Sequence, residues 1–208
     1  TNTAGTPIHI DSGSAGIASS PTGIAITACA SHPLTDVPAW IEPAVAWAWC
    51  GGYLTGYPGN LFKPDDDMTR AQVARLLYRL AGSPDVSGLP DHELTDVPAW
   101  VDDAVTWLVA NSYATGYPDD TFRPDNPISR GQVTRMLFRT EGSPPGAPPH
   151  PFGDVPAWLT ASVDWIVDPA NVPPYATGYP DTTYRPDNDI TRAQITRMTC
   201  RIDGTATC

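Results

Sequence analysis

The chain is poor in positive charge. Of its 208 residues only 17% are charged, and 12 lysines and arginines face 23 aspartates and glutamates, a net charge of −11. That balance excludes a broad nucleic-acid or anionic-membrane surface, whose attraction rests on massed cations. An anionic ligand would have to be held by a few locally placed arginines. Long apolar runs are missing too: no stretch reaches bilayer-spanning length, and no signal peptide opens the chain at Thr1. Without an initiator methionine, it reads as a processed mature chain or an excised fragment, secreted and peripheral. Cysteine is scarce. Cys29, Cys50, Cys200 and Cys208 form no CxxC pair, which speaks against zinc. An even count in a lysine-poor, Pro/Thr-rich chain suits an oxidising, extracellular setting. Cys200 and Cys208 are close enough to tie the last helix to the tail, which leaves Cys29 for Cys50; all three pairings of four cysteines stay open. The four histidines (His9, His32, His92 and His150) fall in the arm and linkers, outside the repeats read below.

What the chain has in plenty is turn chemistry, with 24 prolines and 17 glycines, and a pattern written three times. Asp-Val-Pro-Ala-Trp opens each unit. A helical run follows, then Thr-Gly-Tyr-Pro, an aromatic with (Lys/Arg)-Pro-Asp, and finally Thr69-Arg70-Ala71-Gln72, Ser129-Arg130-Gly131-Gln132 or Thr191-Arg192-Ala193-Gln194. Asp36 to Asp96 is 60 residues and Asp96 to Asp154 is 58; Arg70 to Arg130 is 60 and Arg130 to Arg192 is 62. The third unit carries extra residues around Asp168–Pro174. Regularity of this kind decides architecture before any single residue does.

Each unit predicts two helices. The first begins near Pro38, Pro98 or Pro156, with Asp36, Asp96 or Asp154 placed to accept its orphan N–H groups. The second begins at the Thr/Ser of the closing motif and ends at Gly82, Gly142 or Gly204, each suited to follow a helix C-terminus. Its apolar residues (Val73, Leu76, Leu77 and Leu80; Val133, Met136 and Leu137; Ile195, Met198 and Ile202) follow i, i+3, i+4, i+7 spacing, one buried face per helix. Two short helices cannot bury their faces alone, so the units must pack together. Linkers of similar length, Ser83–Glu93 and Ser143–Pro151, favour a pseudo-threefold arrangement over a solenoid. The expected fold is mainly α: an arm over 1–33 with β-prone strings at Thr6–Ile10 and Gly23–Cys29, repeats over 34–82, 94–142 and 152–204, and a tail over 205–208.

The closing motif fits a capping box, in which the Thr/Ser hydroxyl and the Gln amide satisfy first-turn N–H groups reciprocally. Its arginine does not follow from helix stability, because a cation at the first helical position opposes the helix dipole. Two readings of Arg70, Arg130 and Arg192 stay open. One is an anion pocket at the helix N-terminus. The other is an internal salt bridge to Asp65–Asp67, Asp125 or Asp187. Trp47, Trp107 and Trp165 read as core. Trp40, Trp100 and Trp158, at the helix openings, either stack on a sugar ring or plug the unit. Tyr57, Tyr117 and Tyr179 read as turn-packing residues, and Gly56, Gly116 and Gly178 supply positive φ or close approach.

The block from Leu34 to Gly204 resembles three tandem S-layer homology modules. The resemblance rests on the Asp-Val-Pro-Ala-Trp opening, the centre Thr115-Gly-Tyr-Pro-Asp-Asp-Thr-Phe-Arg-Pro-Asp-Asn-Pro-Ile128, and the Thr-Arg-Ala-Gln close. It implies a three-pronged spindle and non-covalent attachment of a secreted surface protein to an acidic secondary cell-wall polysaccharide, often pyruvylated, at the cell surface. It further implies that Arg70, Arg130 and Arg192, with Asp36, Asp96, Asp154, Trp40, Trp100 and Trp158, line the ligand grooves. The family motif ends in Glu where all three units here have Gln. That change keeps the cap and removes a negative charge beside the arginine.

No cofactor and no nucleic-acid or membrane-inserted partner is expected. Asp36 and Asp154 do not make a required acid/base pair. The aspartates over Asp119–Asp125 and Asp181–Asp189 lack the glycine and glutamate of a calcium loop. A second reading is self-assembly: the arm adds to a neighbouring copy's edge and builds a surface layer or filament, making the chain a homo-oligomer.

Overall fold

The computed structural model describes residues 31–204 and 208. The β-prone strings, the assembly role of the arm, His9 and the Cys29–Cys50 pairing therefore lie outside the described residues. Within them run six α-helices: α1 (Glu42–Cys50), α2 (Arg70–Leu80), α3 (Asp102–Ala110), α4 (Arg130–Thr140), α5 (Thr160–Ile166, preceded by a 3-10 turn at Ala157–Leu159) and α6 (Arg192–Asp203). Among the described residues no helix is long and apolar enough to cross a membrane.

The main helix pairs form between units rather than inside them. α2 packs on α3, α4 on α5, and α6 returns to α1. That last contact closes a ring, which a solenoid would leave open. At the axis the closure is written in backbone. The Met68 N–H donates to the Ile190 carbonyl (2.9 Å), Ile128 to Met68 (3.0 Å) and Ile190 to Ile128 (3.0 Å). The three side chains there are all but fully buried. Each unit thus hands one amide to the next, and no unit can complete its set alone.

All three capping boxes are present. The cap satisfies the third amide of each second helix, and the first two go to the next unit. Arg70 and Ala71 donate to the Asn126 and Pro124 carbonyls, Arg130 and Gly131 to Asn188 and Pro186, and Arg192 and Ala193 to Asp66 and Pro64, all at 2.8–3.0 Å. The glycines that follow these helices sit at φ +80°, +77° and +85°, as a left-handed stop requires. Gly56, Gly116 and Gly178 are not left-handed. A Cβ on them would come within 2.4, 2.3 and 2.1 Å of Leu34, Leu94 and Phe152, so close approach is the reason for glycine.

One expectation is corrected. Asp36, Asp96 and Asp154 do not cap the first helices, whose N-cap residues Ile41, Val101 and Leu159 make no side-chain cap bond. Pro38, Pro98 and Pro156 instead open a separate turn, closed by bonds from Ile41, Val101 and Leu159. The carboxylates reach across to the central loop. Asp36 accepts from the Phe62 and Lys63 amides (2.5 and 2.8 Å), Asp96 from Phe122 and Arg123 (2.6 and 2.8 Å), and Asp154 from Tyr184 and Arg185 (2.8 and 2.7 Å). Lys63, Arg123 and Arg185 have φ of 60°, 58° and 56°, a conformation costly for residues with a Cβ. Two charge-assisted bonds per loop hold it there.

The histidines also belong to the repeat. His32, His92 and His150 stand four residues before Asp36, Asp96 and Asp154. Their side chains are buried, and each Nδ1 accepts the amide two residues on. His32 and His92 turn Nε2 toward Glu42 (3.0 Å) and Asp102 (3.2 Å), and the His150 amide donates to Asp164 (2.7 Å). Each clasp pins a linker to the first helix of its own unit. Cys200 and Cys208 form a disulfide.

Candidate functional site: three inter-repeat grooves

Three open grooves of about 390, 380 and 300 Å³ repeat around the axis. Each draws on all three units. The first combines Arg70 of unit one, the Tyr113–Tyr117 loop and α4 of unit two, and Trp158 of unit three. The second combines Arg192, the Tyr53–Tyr57 loop with α2, and Trp100. The third combines Arg130, the Tyr175–Tyr179 loop with α6, and Trp40. The arginine and the tryptophan singled out in one repeat therefore never share a groove; tertiary closure pairs them across repeats.

At the floor lies the arginine of the closing motif, 6%, 6% and 4% exposed for Arg70, Arg130 and Arg192. Its guanidinium donates to a backbone carbonyl of the neighbouring loop: Arg70 to Thr115 (3.0 Å) and Phe122 (2.8 Å), Arg130 to Thr177 (2.7 Å), and Arg192 to Thr55. Its face lies over two rings, Tyr117 and Phe122, Tyr179 and Tyr184, or Tyr57 and Phe62, with centroids 4.4–5.6 Å away. The tyrosines read as turn packing are thus part of the groove. The salt-bridge reading is corrected: among the described residues no carboxylate is in salt-bridge contact with these arginines, and Asp66, Asp119 and Asp181 pair instead with Lys63, Arg123 and Arg185. Asp96 acts on Arg70, and Asp66 and Asp36 on Arg192, only from beyond contact distance. The helix N-terminus is no anion site either, since its amides are consumed by the cap and the next unit. Burial pulls Arg70 and Arg192 below the ordinary guanidinium value, while the neighbouring Tyr117 and Tyr57 oppose that fall. The group still stays charged at neutral pH.

Along the wall stand arginines that the motif reading passed over. Arg75 and Arg79 on α2, Arg135 and Arg139 on α4, and Arg197 and Arg201 on α6 lie one turn apart and line the same grooves. Their signal was in the sequence: they recur at the same 60- and 62-residue intervals as the motif arginine. Nine of the twelve cationic side chains in an acidic chain thereby converge on three places. At the mouth, Trp100, Trp158 and Trp40 are 50%, 50% and 53% exposed, and Arg75, Arg135 and Arg197 lie over their rings at 5.5, 5.2 and 5.5 Å. A half-exposed indole braced by a guanidinium offers its other face to a flat apolar partner such as a sugar ring. Trp107 and Trp165 are buried and Trp47 is half-buried, its indole N–H donating to Asp203 (2.8 Å).

Asp36, Asp96 and Asp154 are not among the groove-lining residues; they hold the central loops from behind. Burial works against ionisation of Asp36 and Asp154, but their two amide bonds prevail and keep both below the ordinary carboxylate value. Among the described residues no cluster of His, Cys, Asp and Glu is arranged to hold a metal ion.

The S-layer homology domain model matches residues 34–74, 94–134 and 176–196, the third match starting beyond the Asp168–Pro174 insertion. A cellulosome-anchoring protein of Acetivibrio thermocellus is 29% identical over 155 residues, 68% of this chain and 33% of that protein. Cell surface glycoprotein 1 of the same organism is 30% identical over 158 residues, 68% of this chain and 7% of its own length. A surface layer protein of Brevibacillus choshinensis is 28% identical over 129 residues, 59% of this chain and 12% of that one. The chain spans a third or less of each of these relatives. Ring closure, the threefold motif and these matches together place the chain in the S-layer homology domain family, with three modules in tandem.

Proposed function

We propose that the chain is a binding module, not a catalyst, and that it holds an extracellular protein on the bacterial cell surface by gripping an acidic cell-wall polysaccharide in its inter-repeat grooves. The observation that carries this reading is the buried guanidinium at the floor of each groove, with no carboxylate in salt-bridge contact among the described residues. Buried charges are ordinarily paired, and here the Nε atoms of Arg130 and Arg192 have no hydrogen-bond partner among the described residues. An acidic sugar would supply the missing negative charge, the wall arginines would take its remaining oxygens, and the mouth tryptophan would carry a ring face. A pyruvate ketal, with its carboxylate on a compact sugar, fits that set. The names of the relatives, which speak of anchoring and of surface layers, agree with this reading.

Co-sedimentation with purified cell walls tests it. The parent should pellet with intact walls and remain in solution with walls stripped of their acidic polysaccharide. Binding should weaken as salt rises. An Arg75→Gln/Arg135→Gln/Arg197→Gln variant should fold and fail to pellet. If that variant pellets like the parent, the grooves do not carry the binding.

A further inference from the structure

The three grooves share one plan, but their wall arginines are engaged differently. In the groove floored by Arg70, Arg135 and Arg139 make no hydrogen bond to the described residues, and Arg135 only lies over Trp158. In the groove floored by Arg192, Arg79 gives one Nη1 bond to the Tyr53 carbonyl (3.2 Å). In the groove floored by Arg130, both wall arginines are taken. The Nε groups of Arg197 and Arg201 donate to the same acceptor, the Cys208 main-chain oxygen, each at 3.4 Å. Arg201 gives a further Nη1 bond to the Pro174 carbonyl (2.9 Å). Cys208 is held there by its disulfide to the fully buried Cys200 on the same helix. This is also the smallest of the grooves, about 300 Å³ against 390 and 380 Å³.

We infer that the disulfide-tethered Cys208 main-chain oxygen, though not itself a lining residue, occludes the Arg130 groove by engaging both of its wall arginines, so that the protein presents two competent anion grooves rather than three. The inference rests on the proposed function for the meaning of competence. Side-on recognition of a carboxylate by arginine uses Nε together with one Nη. An oxygen already bound to both Nε groups removes that mode for both wall arginines at once. Each bond is long and weak singly. The tether makes the difference, because an acceptor fixed eight residues along the same chain is present at high effective concentration. The other two grooves carry no equivalent cysteine, so the asymmetry belongs to the third unit alone.

Arginine Nε–H resonances in an amide-type nitrogen–proton NMR spectrum read the occlusion without any ligand. In the parent, solvent exchange at Arg197 and Arg201 should be several-fold slower than at Arg135 and Arg139. In Cys208→Ser, and in Cys200→Ala/Cys208→Ser, which leaves no unpaired thiol at this site, the four should become alike. Slow exchange persisting in both folded variants, or equal exchange in the parent, overturns the inference. Calorimetric titration with a pyruvate-ketal methyl hexoside forms the second arm. The parent should bind two equivalents and Cys208→Ser three; three equal sites in the parent would also overturn it. If the hexoside fails to bind any form, the proposed ligand class falls, while the exchange rates still decide the occlusion.

Discussion

Two arginines of a single helix, α4, one at a groove floor and one on a groove wall, put the same side chain to opposite uses. Arg130, at the floor, is buried, donates to a carbonyl of the next unit and lies against two aromatic rings. Arg135, on the wall of the Arg70 groove, is half-exposed, lies over Trp158 and gives no hydrogen bond to the described residues. The floor arginine joins two units, and its cationic charge is what the joint leaves over for a ligand. The wall arginine only braces a tryptophan of the next unit, and its N–H donors stay available to meet what enters. A residue that recurs in every repeat can therefore be structural and functional at once, and burial tells the two roles apart.

The largest effect should come from breaking the joint. Arg130→Ala removes a buried hydrogen-bonded cation and leaves the Thr177 carbonyl unpaired, a loss of about 3 kcal/mol in denaturant unfolding. Any loss of wall binding in that variant would accompany loss of fold, so it cannot by itself test the ligand role. Next comes Asp96→Ala, which strips two amides from a left-handed turn and should cost about 2 kcal/mol by the same measurement. Asp36 and Asp154 add a pH signature. Their folded values lie below the unfolded ones, so their contribution is in force above the unfolded carboxylate pKa and fades as pH falls through the folded one. Melting temperature should therefore drop on acidification, and less steeply in Asp36→Asn/Asp154→Asn.

Glu141, at the C-terminus of α4, works the other way. Burial lifts its carboxyl to about 7. A raised folded value means stability is fully present below the unfolded pKa and is lost as pH rises through 7. Glu141→Gln should consequently gain roughly 1 kcal/mol over the parent at pH 8, discounted for partial exposure, and nothing near pH 4. The smallest stability change belongs to the wall. Arg135→Gln should stay within about 0.5 kcal/mol of the parent, yet cell-wall co-sedimentation should fall. Should Arg135→Gln destabilise as much as Arg130→Ala, the contrast between floor and wall collapses.

Several features were open to reading in one dimension because their causes are local. The capping boxes involve residues three apart, and the stop glycines need only their own φ. The helix faces follow from 3.6-residue spacing, and the Cys200–Cys208 pairing from eight residues of separation. Where the partner is distant in sequence, local reading misplaced it. Asp36 looked like a cap for the helix beside it, but its amides belong to Phe62 and Lys63, 26 and 27 residues on. His32, His92 and His150 looked like linker residues, though their 60- and 58-residue spacing matched the repeat. The wall arginines carried the same signal and were passed over because they sit on the polar side of a stripe judged only for its apolar side.

What the sequence by itself determined is the number of units, their helices and the caps that start them, because each depends on neighbours within a few residues. Only the tertiary structure decided that the units close into a ring, that the helices pair between repeats, and that each groove takes its floor, wall and mouth from three different units. Those outcomes rest on amides and side chains that find partners 45 or more residues away. A periodic sequence offers three equivalent partners for each such group, and chain closure alone selects among them.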